Sequence, residues 1–189
     1  MKKNILIIIA VLILIGAGFY FWTKKETAEN PSPLSPIVTD DNNYKNNTYN
    51  FSFSYPETYI IDEGEVGNGE RSHYTITLSP KDAFPLPAGG EGPPTITIDI
   101  YQNDLDNLTL DSWLRNTNFS NFKLSDGKYT DTTVSGTPAI RYHWSGLYEA
   151  ETFAFIHKKS IIAVSGMYLS PEDEIVKDFN SLVSSIKLK

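Results

Sequence analysis

Tyr49-Asn50-Phe51-Ser52-Phe53-Ser54-Tyr55-Pro56 alternates aromatic and small polar residues until a proline stops the pattern. Successive side chains of a strand leave opposite faces, so this stretch predicts a strand with one aromatic face buried and one polar face open. The same period recurs downstream. Tyr59-Ile60-Ile61 predicts a short strand, and Gly64, Gly67, Asn68 and Gly69 predict a turn. His73 to Ser79 sets Tyr74, Ile76 and Leu78 on one face, and Thr95 to Tyr101 does the same with Ile96, Ile98 and Ile100. The proline- and glycine-rich segment Pro80 to Pro94 between them predicts a long exposed loop, a type of segment that often carries function.

Further along, Thr109 is placed to cap a short helix carrying Leu110, Trp113 and Leu114. Lys128–Val134 and Pro138–Trp144 predict a hairpin about Ser135-Gly136, and Glu149–His157 with Ser160–Met167 a second about Lys158-Lys159. The last element predicts a helix, with Ser170 as cap, Pro171 at the first helical position and Asp173 completing a capping box. Ile175, Val176, Phe179, Leu182, Val183 and Ile186 share one of its faces. Hairpin-spaced strands with two interspersed helices predict an α+β class, a mainly antiparallel sheet with packed helices.

Upstream of this domain the character of the chain changes twice. Ile5 to Trp22 is an uncharged run of 18 residues, which as a helix spans roughly 27 Å, close to a bilayer core. Small residues at Gly16, Ala17 and Gly18 could serve a signal-peptide cleavage site, whereas the bulky Phe19-Tyr20-Phe21-Trp22 that follows suits a retained anchor. The expectation is a transmembrane helix within residues 1–23 and a proline- and asparagine-rich tether over 24–47. A domain over 48–189 is expected outside the cytoplasm, held at the cell membrane by a single pass. The chain has no cysteine, which excludes disulfides and thiolate metal sites and suits a bacterial cell surface. Beyond Glu29, 12 Lys and Arg face 21 Asp and Glu. That balance argues against nucleic acid and anionic lipid headgroups as partners, because both are bound through cationic patches.

Three stretches carry a family resemblance. Tyr49–Pro56 resembles the entry strand of PsbP-like domains, with its aromatic-x-Phe-x-Tyr-Pro form. Val134-Ser135-Gly136-Thr137-Pro138-Ala139 is similar to their middle section, and Phe179 to Lys187 to their final helix. The resemblance implies a sheet sandwiched by helices and a non-enzymatic docking domain. Among relatives of that fold, the plant protein is an extrinsic subunit of photosystem II, another binds a small GTPase, and many bacterial members are anchored surface proteins. No cofactor is implied, and nothing in the sequence points to photosynthesis.

Signs of chemistry are sparse. His73, Asp99 and His143 would be metal-ligating candidates if their strands were neighbours, yet no H-x-H or H-x-x-x-H spacing is present. Asp99, Asp104, Asp106 and Asp111 lack the glycine and the bidentate glutamate of a calcium loop. No G-x-S-x-G occurs, and Gly89-Gly90-Glu91-Gly92 lacks the Lys-Ser/Thr of a phosphate loop. Trp113, Tyr142, Trp144 and Tyr148 are aromatic candidates for either a core or a contact surface. The leading expectation is therefore a tethered docking domain for an unidentified protein partner at the cell surface. Its contact residues would be Phe84 and Leu86 of the long loop and Trp144 and Tyr148 of the hairpin turn. Small-ligand or divalent-metal binding through His73, Asp99 and His143 is the alternative, and a hydrolase a distant third.

Overall fold

The computed structural model describes residues 43–67, 72–86, 91–104 and 106–189. The expected membrane anchor and most of the expected tether, residues 1–42, lie outside the described residues. In chain order the elements are β1 Asn43–Asn46, β2 Phe51–Ser54, β3 Tyr59–Glu65, β4 His73–Pro80, β5 Ile96–Gln102 and α1 Leu110–Asn116. They continue with β6 Thr130–Val134, β7 Thr137–Ser145, β8 Glu149–His157, β9 Ser160–Tyr168, α2 Glu174–Ser185 and β10 Lys187–Leu188. No helix among the described residues is long and apolar enough to cross a membrane.

Seven strands pair antiparallel in the order β3-β4-β5-β9-β8-β7-β6, and β1-β2-β10 form a second, three-stranded sheet. Two meanders build the large sheet. They meet where β5 pairs with β9, Ile98 opposite Val164. Alternation then gives the sheet two apolar faces. Ile76, Leu78, Ile98, Phe155 and Val164 pack against α2 and against Phe51 and Phe53 of β2. Ile140, Tyr142, Trp144, Ala154 and Ala163 lie under Trp113 and Leu114 of α1. Covering both faces removes the sheet's apolar area from water, the main favourable contribution to such a fold.

Local chemistry agrees with most of the predicted elements. Thr109 Oγ1 accepts from the Ser112 N–H at 3.1 Å and caps α1 as expected. Ser135 and Gly136 both adopt positive φ, 51° and 77°, the turn that matches hairpin twist. Gly166 of β9 lies directly under Phe179 of α2, and a Cβ there would stand 2.5 Å from the ring's Cγ. Glycine is what lets the helix seat its aromatic side chain on the sheet.

Three expectations are corrected. The ordered fold begins before Thr48, since Asn43–Asn46 pairs with β2 and the Tyr44 ring stacks on Phe53 at 4.8 Å. The polar residues between β1 and β2 read as tether, but one edge of β2 needs main-chain partners and takes them from this segment. The other edge is met by β10, a strand missed behind the helix pattern. The final helix starts at Glu174 rather than at Pro171. The Asp173 carboxylate accepts from the main-chain N–H groups of Leu169 and Ser170 at 3.0 and 2.9 Å, which holds Ser170–Asp173 as a turn ahead of the helix.

Antiparallel order sets two distinct ends. Strands β4, β7 and β9 finish, and β3, β5 and β8 begin, at one end, here the loop end. It carries the β4–β5 loop, the β7–β8 turn and the link from β9 to α2. The Lys158-Lys159 turn, Ser72 and the β5–α1 link lie at the opposite end.

Candidate functional site

The structure brings together only two of the three metal-ligating candidates. His73 and Asp99 meet diagonally across β4 and β5, where Tyr101 is opposite His73 and Thr75 opposite Asp99, with Nε2 and Oδ1 2.8 Å apart. Thr75 donates its hydroxyl to the same carboxylate oxygen. His143 belongs elsewhere. It lies on β7, three strand spacings from Asp99 and four from His73, so at least about 14 Å away, and on the opposite sheet face, where its Nε2 is 2.8 Å from Glu149. Strand periodicity decides this: Tyr142 and Trp144 point toward α1, so His143 between them points away. No group of three metal-capable side chains forms among the described residues. The acids are dispersed as well. Asp104 accepts from Gln102 at 2.7 Å, and Asp111 takes Arg115 at 2.8 Å and the Tyr129 hydroxyl at 3.1 Å. The Arg115 guanidinium holds the Asp111 carboxyl below its usual range.

None of the three histidines is hydrogen-bonded to a serine among the described residues: His73 meets Asp99, His143 meets Glu149, and His157 has a main-chain bond with Asn50.

Beside the His73–Asp99 pair lies a cleft of about 420 Å³ on the α1 face, at the opposite end from the loops. His73 stacks on Tyr101 at 4.3 Å, and Tyr101 meets Phe119 at 5.2 Å and Trp113 at 5.5 Å. Phe119 stays 53% exposed at the cleft's mouth, whereas Trp113 is buried in its wall. Burial pushes the Tyr101 phenol far above its ordinary range, and the nearby Asp99 charge adds to that. Phe119 and Tyr101 carry no sequence signal of a shared site, because the β4–β5 pairing sets Tyr101 opposite His73 and the segment after α1 brings Phe119 to both.

The loop end holds the other group of candidate residues. Trp144 is not an exposed tip residue: it is 7% exposed and donates its indole N–H to Thr152 Oγ1 at 2.9 Å, which in turn meets Ser165 at 2.8 Å. It lies within β7 with its ring on the α1 side, where burial is set by the strand's alternation. Tyr148 is half-buried and donates its hydroxyl to the Gly92 carbonyl, tying the β7–β8 turn to the long loop. Large apolar side chains are exposed at this end: Phe84, Leu86, Leu147 at 64% and Leu169 at 70%. Leu147 and Leu169 carried no sequence signal, as isolated leucines beside turns. A cleft of about 620 Å³ adjoins, lined by Glu57, Tyr59, Lys81, Asp82, Glu174 and Asp178. The Tyr59 hydroxyl donates to Asp178 at 2.8 Å. Burial, then this bond and the surrounding acids, drive its phenol well above the ordinary value. Acids predominate near the loops, where Glu57, Asp82, Glu149, Glu172 and Glu174 stand with Lys81, whereas the opposite end is mixed, with Lys158, Lys159, Lys187 and Lys189 as well as Glu65, Asp104 and Asp106.

The two-meander sheet, with α2 and a small sheet on one face and α1 on the other, superimposes on a known structure. The solution structure of cyanobacterial PsbP (CyanoP) from Synechocystis matches with a TM-score of 0.52 over 83% of this chain and 99% of that one. The fold is PsbP-like. Sequence identity over the match is 11%, so what the likeness shows is the arrangement of the chain and no activity. No family model matches the sequence. No curated protein matches it either. The PsbP-like core accounts for the resemblance of Tyr49–Pro56: Phe51, Phe53 and Tyr55 all turn into the core beneath α2.

Proposed function

We propose that the protein is a membrane-tethered, extracytoplasmic docking domain that presents the loop end of its PsbP-like sheet to a protein partner. One observation carries the reading. Large apolar side chains from three separate connections, Phe84, Leu86, Leu147 and Leu169, are left exposed at the same end of the sheet. Scattered exposed leucines need no explanation, but a shared end does, since each such side chain kept in water forgoes roughly 1.5–3 kcal/mol of burial. The partner's chemistry follows from the surroundings. An apolar centre ringed by Asp82, Glu149, Glu172 and Glu174 fits a surface with apolar anchors and Lys or Arg at its rim. The acid-lined cleft over Tyr59 suits one such basic side chain. An uncharged run at Ile5–Trp22 and the proline-spaced segment after it support tethering at a membrane.

The test is site-specific photo-cross-linking of the full chain in its native cells. A photoreactive residue is placed at Leu147 or Leu169 and, as control, at Lys158. The expected outcome is one adduct from both loop-end positions and none from Lys158. Leu147→Asp with Leu169→Asp should abolish it without lowering the melting temperature, since both side chains lie outside the core. Adducts of equal yield from both ends, or adduct yield unaffected by the aspartates, would refute the reading.

A further inference from the structure

We infer that the cleft beside His73 binds a neutral saccharide, with Phe119, backed by Tyr101, supplying a ring platform and the amides of Asn116 and Asn118 reading hydroxyl groups. At about 420 Å³ the cleft falls in the lower part of the ~300–1,000 Å³ range of small-ligand sites. Its lining combines two kinds of surface. Phe119 exposes half of its ring at the mouth, backed by Tyr101 at 5.2 Å, so an apolar face is held in place without being covered. Around it stand planar polar groups. Asn118 is exposed, and Asn116 donates its Nδ2 to Ser112 at 3.3 Å, which leaves its carbonyl oxygen to accept from a ligand.

A sugar offers the matching pair of surfaces, a face of C–H bonds to lie on a ring and an edge of hydroxyls that both donate and accept. Other ligand classes match less well. An anion would meet Asp106 and no Lys or Arg among the described lining residues. A hydrocarbon ligand would strip water from the amides and give back no hydrogen bond. Among the described residues, a metal ion would find only His73 and Asp99 placed together. The cleft lies at the opposite end of the sheet from the docking surface, so the two readings stand or fall separately.

The test is saturation-transfer NMR on the full chain, kept soluble in a detergent without a sugar headgroup. The probes are glucose, galactose, mannose, N-acetylglucosamine and their β-linked disaccharides, each at about 10 mM, a concentration that detects dissociation constants into the millimolar range. Tetramethylammonium and benzoate serve as charged controls. The expected result is saturable transfer to the C–H face of at least one sugar, and none to the controls. Phe119→Ala should weaken it about tenfold, and Asn118→Ala should weaken it as well. Asn118→Ala should not shift the melting temperature appreciably, because its side chain is exposed, and a cooperative melting curve of Phe119→Ala establishes that the half-buried ring is not needed for folding. No transfer to any sugar, stronger transfer to a charged control, or sugar binding that Phe119→Ala leaves unchanged would overturn the inference.

Discussion

Replacing Gly166 by alanine tests the packing on which the fold depends. The new Cβ would stand 2.5, 2.7 and 2.9 Å from Cγ, Cδ2 and Cβ of Phe179, closer than nonbonded carbons approach. Phe179 cannot swing aside into solvent. It is 2% exposed, and its ring lies 5.8 Å from that of Phe153. Helix α2 must therefore lift or the ring must leave its rotamer, and overpacking of this kind costs about 1–3 kcal/mol. Loss of glycine's freedom in the unfolded chain offsets about 0.5 kcal/mol, leaving about 1.5 kcal/mol net. For a domain of this size that corresponds to a fall in melting temperature of about 5 °C. Urea denaturation of Gly166→Ala, Phe179→Leu and the double variant gives the coupling directly. The smaller leucine should relieve the clash, so the double variant should be more stable than the sum of the single effects by at least ~0.5 kcal/mol. Additive effects, or a Gly166→Ala variant as stable as the parent, would refute the contact.

Two further outcomes follow from buried polar groups. Thr152→Val keeps the side-chain volume but removes the hydroxyl that accepts from the Trp144 N–H and meets Ser165, and should cost about 1–2 kcal/mol by urea denaturation; an unchanged midpoint would refute the contribution of this bond. His157 is held below its ordinary value near 6.5, first by burial and then by the Lys158 charge. With the folded value depressed, the unfolded chain takes up the proton first, so stability should fall as pH drops below about 6.5. His157→Asn should flatten that part of the stability–pH profile, and an unchanged slope would assign it to other groups.

Much of the local structure was legible because it is written in short periods. The aromatic alternation of Tyr49–Tyr55, the isoleucine alternation of β5, the Ser135-Gly136 turn and the apolar stripe of α2 each depend on residues within a few positions of one another. The elements misread are those whose partners are distant. β1 and β10 are short and polar, and they are strands because β2 has two edges to fill. The start of α2 moved because Asp173 has main-chain donors behind it as well as a helix ahead.

The candidate sites divide in the same way. Sequence alone set the residue types, the acidic balance, the missing cysteine and the long Pro80–Pro94 loop. It offered His73, Asp99 and His143 as a set but could not say which strands are neighbours. The β5–β9 pairing decides that, joining the two meanders at Ile98 and Val164, 66 positions apart in the chain. Strand alternation then sends His143 to the α2 face and Trp144 into the core. The same topology gathers Phe84, Leu86, Leu147 and Leu169 at one end and sets Phe119 beside Tyr101 at the other. Periodicity is a property of neighbours along the chain, so the sequence carries it. Juxtaposition across a sheet is set by which hydrogen-bonded edges meet, and only the folded chain determines that.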